Sequence, residues 1–341
     1  MKEKFVFIIS NIHLPRCVNR VNEFVERGLN VEVYYFDRPL FKNETLKIKA
    51  PSHSLGELDS GRSAYLGRMY GQYKKVKSVV EKYKNTDAVI YLFGFDMAMV
   101  YHFCRSKLRY IFEESDLRHT YFRPSIVSKE LERLDKKIIR KSLLTVFTSE
   151  GFNRYHFGKE VHDNIAFIPN RLNPAVADLD GSFSCEKRTD PQHIKIGFVG
   201  SIRFKTVYNF VDVFCRNYPK YEFHFYGSPV QGNIAELDKY DNCYFHGAFV
   251  SPNDLPEIYS NIDLVLSTYD TDYENALYAE PNKMYESMYF EVPIIVSAGT
   301  YVAEKVNELG IGFAVDAMDN DAIIQLVENL TIEKIEEKKI E

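Results

Sequence analysis

The chain has 341 residues, enough for two domains of ordinary size, and its 45% hydrophobic and 27% charged residues are the balance of a soluble globular protein. A formal net charge of −5 excludes the strong basic excess of a general nucleic-acid binder. The five cysteines, Cys17, Cys104, Cys185, Cys215 and Cys243, are scattered, odd in number and form no C-x-x-C, which points to reduced thiols in a cytoplasm and to neither a zinc site nor a disulfide framework.

The apolar run 5–9 is too short for a signal peptide or a membrane span and suits a first buried strand. After the loop 10–16, Val18, Val21, Phe24 and Val25 mark one face of a helix ending near Gly28, and 31–36 is the next strand. Such a βαβ unit builds parallel sheets. It lacks G-x-G-x-x-G, which argues against a nicotinamide or flavin dinucleotide. The loop after the first strand opens at the carboxyl edge of the sheet, where ligands bind in such folds. Arg16 and Arg20 read there either as contacts for an acceptor's phosphate or as solvated charges at a helix start. Residues 37–62 read as irregular loop with weak strand character, and 63–84 as a helix carrying Tyr65, Tyr70, Tyr73 and Val76. A strand over 88–93 turns at Gly94 into another helix. The strand 110–112 leads into Glu113-Glu114-Ser115-Asp116-Leu117-Arg118-His119 at the same sheet edge. Residues 129–144 read as an ordinary amphipathic helix; the alternative, a helix lying on an anionic membrane, is weakened by its acidic residues. A strand over 145–148, a helix capped by Ser149 and a strand ending at Pro169-Asn170 complete this half.

Residues 174–193 hold Gly, Ser, Pro and many charges without periodicity and read as a linker. A strand over 194–199 restarts a sheet, with Gly200-Ser201-Ile202-Arg203-Phe204-Lys205 at its carboxyl end. Glycine lets a ligand approach the backbone, and Arg203 and Lys205 supply the charge a diphosphate needs. Further strands are expected over 221–226, ending at Gly227, and over 243–247, leading to Phe249. A helix over 254–259 and a strand over 263–267 follow. The stretch 279–297 reads as a loop, a helix with Pro281 at its first position, and a strand buried on both sides. Met284 and Met288 can face the core together, while Lys283 and Glu286 lie elsewhere on the helix. That pair reads either as an exposed helical ion pair or as ligand chemistry. A helix N-terminus offers free N–H groups to a phosphate, and a carboxylate one turn on accepts from sugar hydroxyls. A helix near Val302, a strand over 312–315, a helix over 322–330 and a solvated or frayed helix from Thr331 close the chain. No stretch suits a transmembrane helix.

Pro281-Asn282-Lys283, then Glu286-Ser287-Met288, then Pro293-Ile294-Ile295-Val296-Ser297 resembles the donor-nucleotide segment of GT-B glycosyltransferases, the retaining family four of capsule and polysaccharide synthesis above all. The run from Gly247 to Asp263 is also similar to that family. Two positions depart from its pattern: Tyr278 stands where another glutamate is frequent, with Glu274 and Glu280 as nearby carboxylates, and Glu291 lies near a usual glycine. The resemblance implies an α/β protein with two Rossmann-like parallel-sheet domains facing across a cleft. These are an acceptor domain over 1–173 and a nucleotide-sugar donor domain over 194–341, joined by the linker 174–193.

It implies a metal-independent hexosyl transfer with retention, from a nucleotide diphosphate sugar to a hydroxyl of a growing or lipid-linked glycan, without cofactor. The D-x-D match Asp270-Thr271-Asp272, just after the strand ending at Ser267, reads as a polar loop. Arg203 and Lys205 would clamp the diphosphate and Glu286 the ribose. Gly200, Ser201, Gly227, Phe249, Pro281, Asn282 and Lys283 would line the donor. Asp116 and His119 would flank the transferring sugar, and Arg16 and Arg118 would meet the acceptor. The setting implied is the cytoplasm, at most with peripheral contact to the inner membrane face and no nucleic acid. A GT-B nucleotide-sugar epimerase and a non-catalytic nucleotide- or glycan-binding subunit are the alternatives, since fold alone does not fix activity.

Overall fold

Short apolar runs alternating with amphipathic stretches dictate strands alternating with helices. The computed structural model describes residues 3–38, 47–58, 65–121, 126–172, 174–177, 179, 193–228 and 236–339. They divide into two compact units, Met1–Ile168 and Pro169–Glu341, each built on its own parallel sheet.

The first unit runs β1 (Lys4–Ile9), α1 (Pro15–Glu26), β2 (Asn30–Asp37), β3 (Ser52–Glu57), α2 (Tyr65–Tyr83), β4 (Val89–Phe93), α3 (Gly94–Phe103), β5 (Arg109–Glu114), α4 (Ile126–Lys141), β6 (Leu144–Phe147), α5 (Glu150–Phe157) and β7 (Ile165–Phe167). The sheet order is β3-β2-β1-β4-β5-β6-β7, all parallel. Alternate residues of the central strands face opposite ways, so both faces are apolar. Phe7, Val33, Tyr91 and Ile111 pack with Cys17 and Val21 of α1 on one face. Phe7 stacks on its cross-strand partner Tyr91 at 4.5 Å.

The second unit runs α6 (Pro174–Ala177), β8 (Lys195–Val199), α7 (Lys205–Asn217), β9 (Glu222–Tyr226), β10 (Cys243–Gly247), α8 (Leu255–Ser260), β11 (Leu264–Ser267), α9 (Glu274–Tyr278), α10 (Asn282–Tyr289), β12 (Ile294–Ser297), α11 (Tyr301–Leu309), β13 (Gly312–Val315), α12 (Asn320–Glu328) and α13 (Ile332–Glu337). Its parallel order is β10-β9-β8-β11-β12-β13. Strand alternation again feeds two cores. Phe198, Leu264, Leu266 and Ile295 meet α7 and α12 on one face. Val199, Val265, Ile294 and Val296 meet Ile258, Met284 and Val306 on the other.

Several elements differ from expectation. The helix expected over 129–144 runs over Ile126–Lys141, and Leu144 already belongs to β6. Ser142 Oγ lies 2.9 Å from the Ile139 carbonyl and 2.8 Å from Thr145 Oγ1, closing the helix into the strand. Residues 52–57, expected as loop with weak strand character, form the parallel strand β3 at one edge. Part of the expected linker is helix α6, whose Val176 joins the second unit's core; 178 and 180–192 lie outside the described residues. The end expected as solvated or frayed is a docked helix, capped by Thr331 and anchored by buried Ile335. Cys17, Cys104, Cys215 and Cys243 are free thiols, and Cys185 lies outside the described residues.

Candidate functional site in the second unit

In an open parallel sheet, ligands bind at the carboxyl ends of the strands where the strand order reverses. Here that point lies between β8 and β11. β8 runs into Gly200, whose φ is +131°. A Cβ on Gly200 would lie 3.1 Å from Lys283 Nζ, so the ammonium from the first turn of α10 rests against bare backbone. The same ammonium lies 5.2 Å over the Phe198 ring, a cation–π contact that steadies it. Gly227, just past β9, has φ +146°, and a Cβ there would come within 1.9 Å of the Gly200 carbonyl oxygen. Gly200 N donates to the Tyr226 carbonyl (2.8 Å) and Gly227 N to the Gly247 carbonyl (2.7 Å). The ends of β8, β9 and β10 therefore form a shelf of bare peptide beside the Lys283 charge.

Pro281, expected at the first helical position of α10, is the residue just before it and, as the N-cap, makes no side-chain capping bond. The N-terminal dipole of α10 adds positive potential to that of Lys283. Met284 is buried and Met288 packs beside it, as their spacing requires. Glu286, one turn on, accepts from the Tyr259 hydroxyl at 2.8 Å. Tyr259 is buried and stacks on Phe290 at 4.7 Å. Burial and then the Glu286 charge hold that hydroxyl well above its ordinary pKa, so it stays a donor. Lys283 and Glu286 thus face separate partners.

Arg203, Lys205, Ser201 and Asn282 are exposed. The Arg203 guanidinium lies 4.8 Å over the Phe204 ring, and Lys205 opens α7. Asp270 Oδ1 accepts from Thr206 N (3.0 Å) and Thr206 Oγ1 (3.2 Å), so the first carboxylate of the D-x-D match caps α7. Phe249 is half-buried against the core. Of the carboxylates near Tyr278, Glu274 is exposed, whereas the buried Glu280 accepts from Tyr285 and from Lys305 Nζ (3.0 Å). Glu291 adopts φ +54°, the left-handed backbone that explains why glycine suits that turn. Sequence reasoning missed Tyr259 and the Glu280–Lys305 pair. Tyr259 is one of many aromatics at helical spacing, and only the packing of α8 on α10 gives it Glu286.

In the first unit, the buried Glu113 at the end of β5 accepts from Arg20 Nε (3.1 Å) and Tyr91, with Arg16 Nε 3.2 Å from its other oxygen. The two arginines expected at an acceptor are thus braced by one carboxylate. Asp116 is half-buried and Arg118 exposed. His119 is buried, with Nδ1 3.1 Å from Asp135 Oδ2 and Nε2 3.1 Å from the Tyr155 hydroxyl. Beside it, His156 Nε2 lies 2.9 Å from Glu114 Oε2. Burial pushes Glu114 up to about 8 and Asp135, with help from the Glu114 charge, up to about 7; it lowers His156 to about 4.

Residues 193–332 match the family model described as glycosyl transferases group 1. The second unit is thus similar to that family over most of its length. Over 239 residues the chain is 24% identical to the succinoglycan biosynthesis protein ExoL of Rhizobium meliloti (strain 1021), covering 65% of this chain and 57% of that protein's length. Among solved structures it is similar to Anabaena Alr3699/HepE in complex with UDP and glucose (TM-score 0.68, 13% identity, 98% of this chain and 93% of that one). It is likewise similar to sucrose-phosphate synthase from Thermosynechococcus elongatus (TM-score 0.70, 14% identity, 99% and 92%). The fold is GT-B, in two Rossmann-like parallel-sheet units. Among the described residues, no helix is long and apolar enough to cross a membrane.

Proposed function

We propose that this protein is a glycosyltransferase that moves a sugar from a nucleotide diphosphate sugar to a hydroxyl of a growing glycan, with retention and without a metal at the donor. The carrying observation is the Lys283 ammonium set against the bare Gly200 backbone at the sheet's reversal point. In such a transfer the sugar becomes oxocarbenium-like while negative charge grows on the leaving diphosphate. Lys283, the start of α10 and the exposed Arg203 and Lys205 would take up that charge. Glu286, oriented by Tyr259, would accept from the ribose hydroxyls, and Gly200, Ser201 and Gly227 would admit the diphosphate to the backbone. Phe249 would flank the base. In the acceptor unit Arg16, Arg118 and Asp116 would meet the glycan, and His119, engaged on both nitrogens, would hold its loop in place. The relatives support this reading: one is named for succinoglycan biosynthesis, and another was solved with UDP and glucose. A cell-surface or capsular polysaccharide made on the cytoplasmic side is the setting we propose.

Thermal unfolding with UDP, GDP, CDP, ADP and their sugars tests the donor site. A ligand at 100 times its dissociation constant adds about 2.7 kcal/mol. A shift with one nucleotide, lost in Glu286→Ala and Arg203→Ala, is expected; no shift with any of them overturns the site. Tyr278, standing where a second carboxylate is frequent, and the commitment of Glu280 to Lys305 favour one rival, a subunit that binds nucleotide without turnover. Stabilisation by a nucleotide-sugar with no release of nucleotide in the presence of acceptor glycans would select it.

A further inference from the structure

Glu114 at the end of β5, Asp135 in α4 and His156 in α5 meet inside the first unit, and none has exposed side-chain surface. Each spends one polar atom within the protein: Glu114 Oε2 on His156 Nε2, and Asp135 Oδ2 on His119 Nδ1. With Glu114 ionised, as an ion bound beside it would require, the carboxylate only accepts, so the imidazole hydrogen sits on Nε2 of His156 and Nδ1 keeps its lone pair. Left over are Glu114 Oε1, Asp135 Oδ1 and His156 Nδ1, all buried and facing no donor among the described residues other than a proton the two neighbouring carboxyl groups could share. With both carboxyl groups ionised, these are three acceptors with no donor. Buried acceptors are rarely left so, and one cation among them would satisfy all three at once. The ion pairs of Glu114 and Asp135 among the described residues are with histidines alone, so no described lysine or arginine fills that place.

One ligand atom from each of the three residues lies within 4.8 Å of the others. Two carboxylates cancel the charge of a divalent ion, and two oxygens with one imidazole nitrogen suit zinc or manganese better than the all-oxygen shells of calcium or magnesium. The outer layer fits as well. His119 braces Asp135, and Tyr155 braces the other nitrogen of His119, as second partners commonly orient metal ligands.

We propose that Glu114, Asp135 and His156 hold one divalent transition-metal ion, zinc or manganese, which ties β5, α4 and α5 together and fixes the turn that carries His119. The ion is structural and lies in a different unit from Lys283 and Glu286, so the proposal stands or falls apart from the donor site. Metal content of the full-length protein, expressed with both metals present and freed of loose ions by gel filtration, is the first measurement. About one zinc or manganese per chain is expected. Asp135→Asn and Glu114→Gln should lose it, and Glu286→Ala should retain it. The unmodified protein stripped with a chelator should melt at lower temperature and recover with zinc or manganese but not with magnesium, and cobalt should give a visible absorption band. Substoichiometric metal with no change of melting on stripping and refilling overturns the proposal and leaves a proton shared between the two carboxyl groups as the occupant. Metal retained in Asp135→Asn overturns it too, because the ion then sits elsewhere.

Discussion

Gly227 and Gly200 show how much a missing side chain can decide. An added Cβ at Gly227 meets the Gly200 carbonyl oxygen at 1.9 Å, whereas at Gly200 it meets only the flexible end of Lys283 at 3.1 Å. Gly227→Ala must move backbone and is expected to cost about 1–3 kcal/mol from overpacking, with backbone strain in addition. Gly200→Ala should cost less stability yet displace Lys283 and weaken nucleotide binding. Urea unfolding and nucleotide titration of both variants separate the two effects, and wild-type affinity in Gly200→Ala would refute the shelf. Glu291 gives the opposite case. It holds a left-handed backbone that costs an L-residue about 1–2 kcal/mol. Glu291→Gly should therefore raise stability, by less than that sum because glycine loses more freedom on folding. A lower melting temperature would show that the Glu291 side chain contributes contacts of its own. The residue types at these positions were legible in the sequence, but the distances that give them meaning were not.

Among the elements, β2 shows how a single carboxylate can fasten several neighbours. Glu32 accepts from Lys4 of β1 (2.7 Å), Lys82 of α2 (2.9 Å) and Tyr34 (2.8 Å), and His53 of β3 lies 3.1 Å away. Burial alone would raise its pKa; the hydrogen bonds from Lys4, Lys82 and Tyr34 overcome that and hold it far below the ordinary 4.5. A carboxylate depressed in the folded state contributes stability above its unfolded pKa and loses that contribution as pH falls through the folded value. Glu32→Gln should thus be clearly less stable than wild type at pH 7, and the gap should narrow steadily below about pH 4.5. Urea midpoints measured from pH 7 to pH 3 check this, and a constant gap would refute it. At the same scale, the helices and strands were readable because each carries its own period of apolar residues. The errors fell where that period is weak: at the end of α4, in the polar strand β3, and in α13, whose one buried anchor is Ile335.

Across the whole molecule, each unit has its own sheet and its own cores. A nucleotide-sugar should therefore slow amide exchange in the second unit, most at 199–206 and 280–287, and leave the β1 and β4 strands of the first unit unchanged. Hydrogen-exchange mass spectrometry reads this directly, and protection confined to the first unit would move the donor site there. The sequence by itself determined the alternation of strands and helices, the parallel class of both sheets and the Pro281–Ser297 segment, because each of these is written in residues close together along the chain. The tertiary structure alone decided the strand order that sets Lys283 beside Gly200, the hold of Glu113 on Arg16 and Arg20, the bond from Tyr259 to Glu286 and the buried meeting of Glu114, Asp135 and His156. Local periodicity says which face of an element is buried. Which distant element it is buried against, and so which charges become neighbours, is settled only when the whole chain packs.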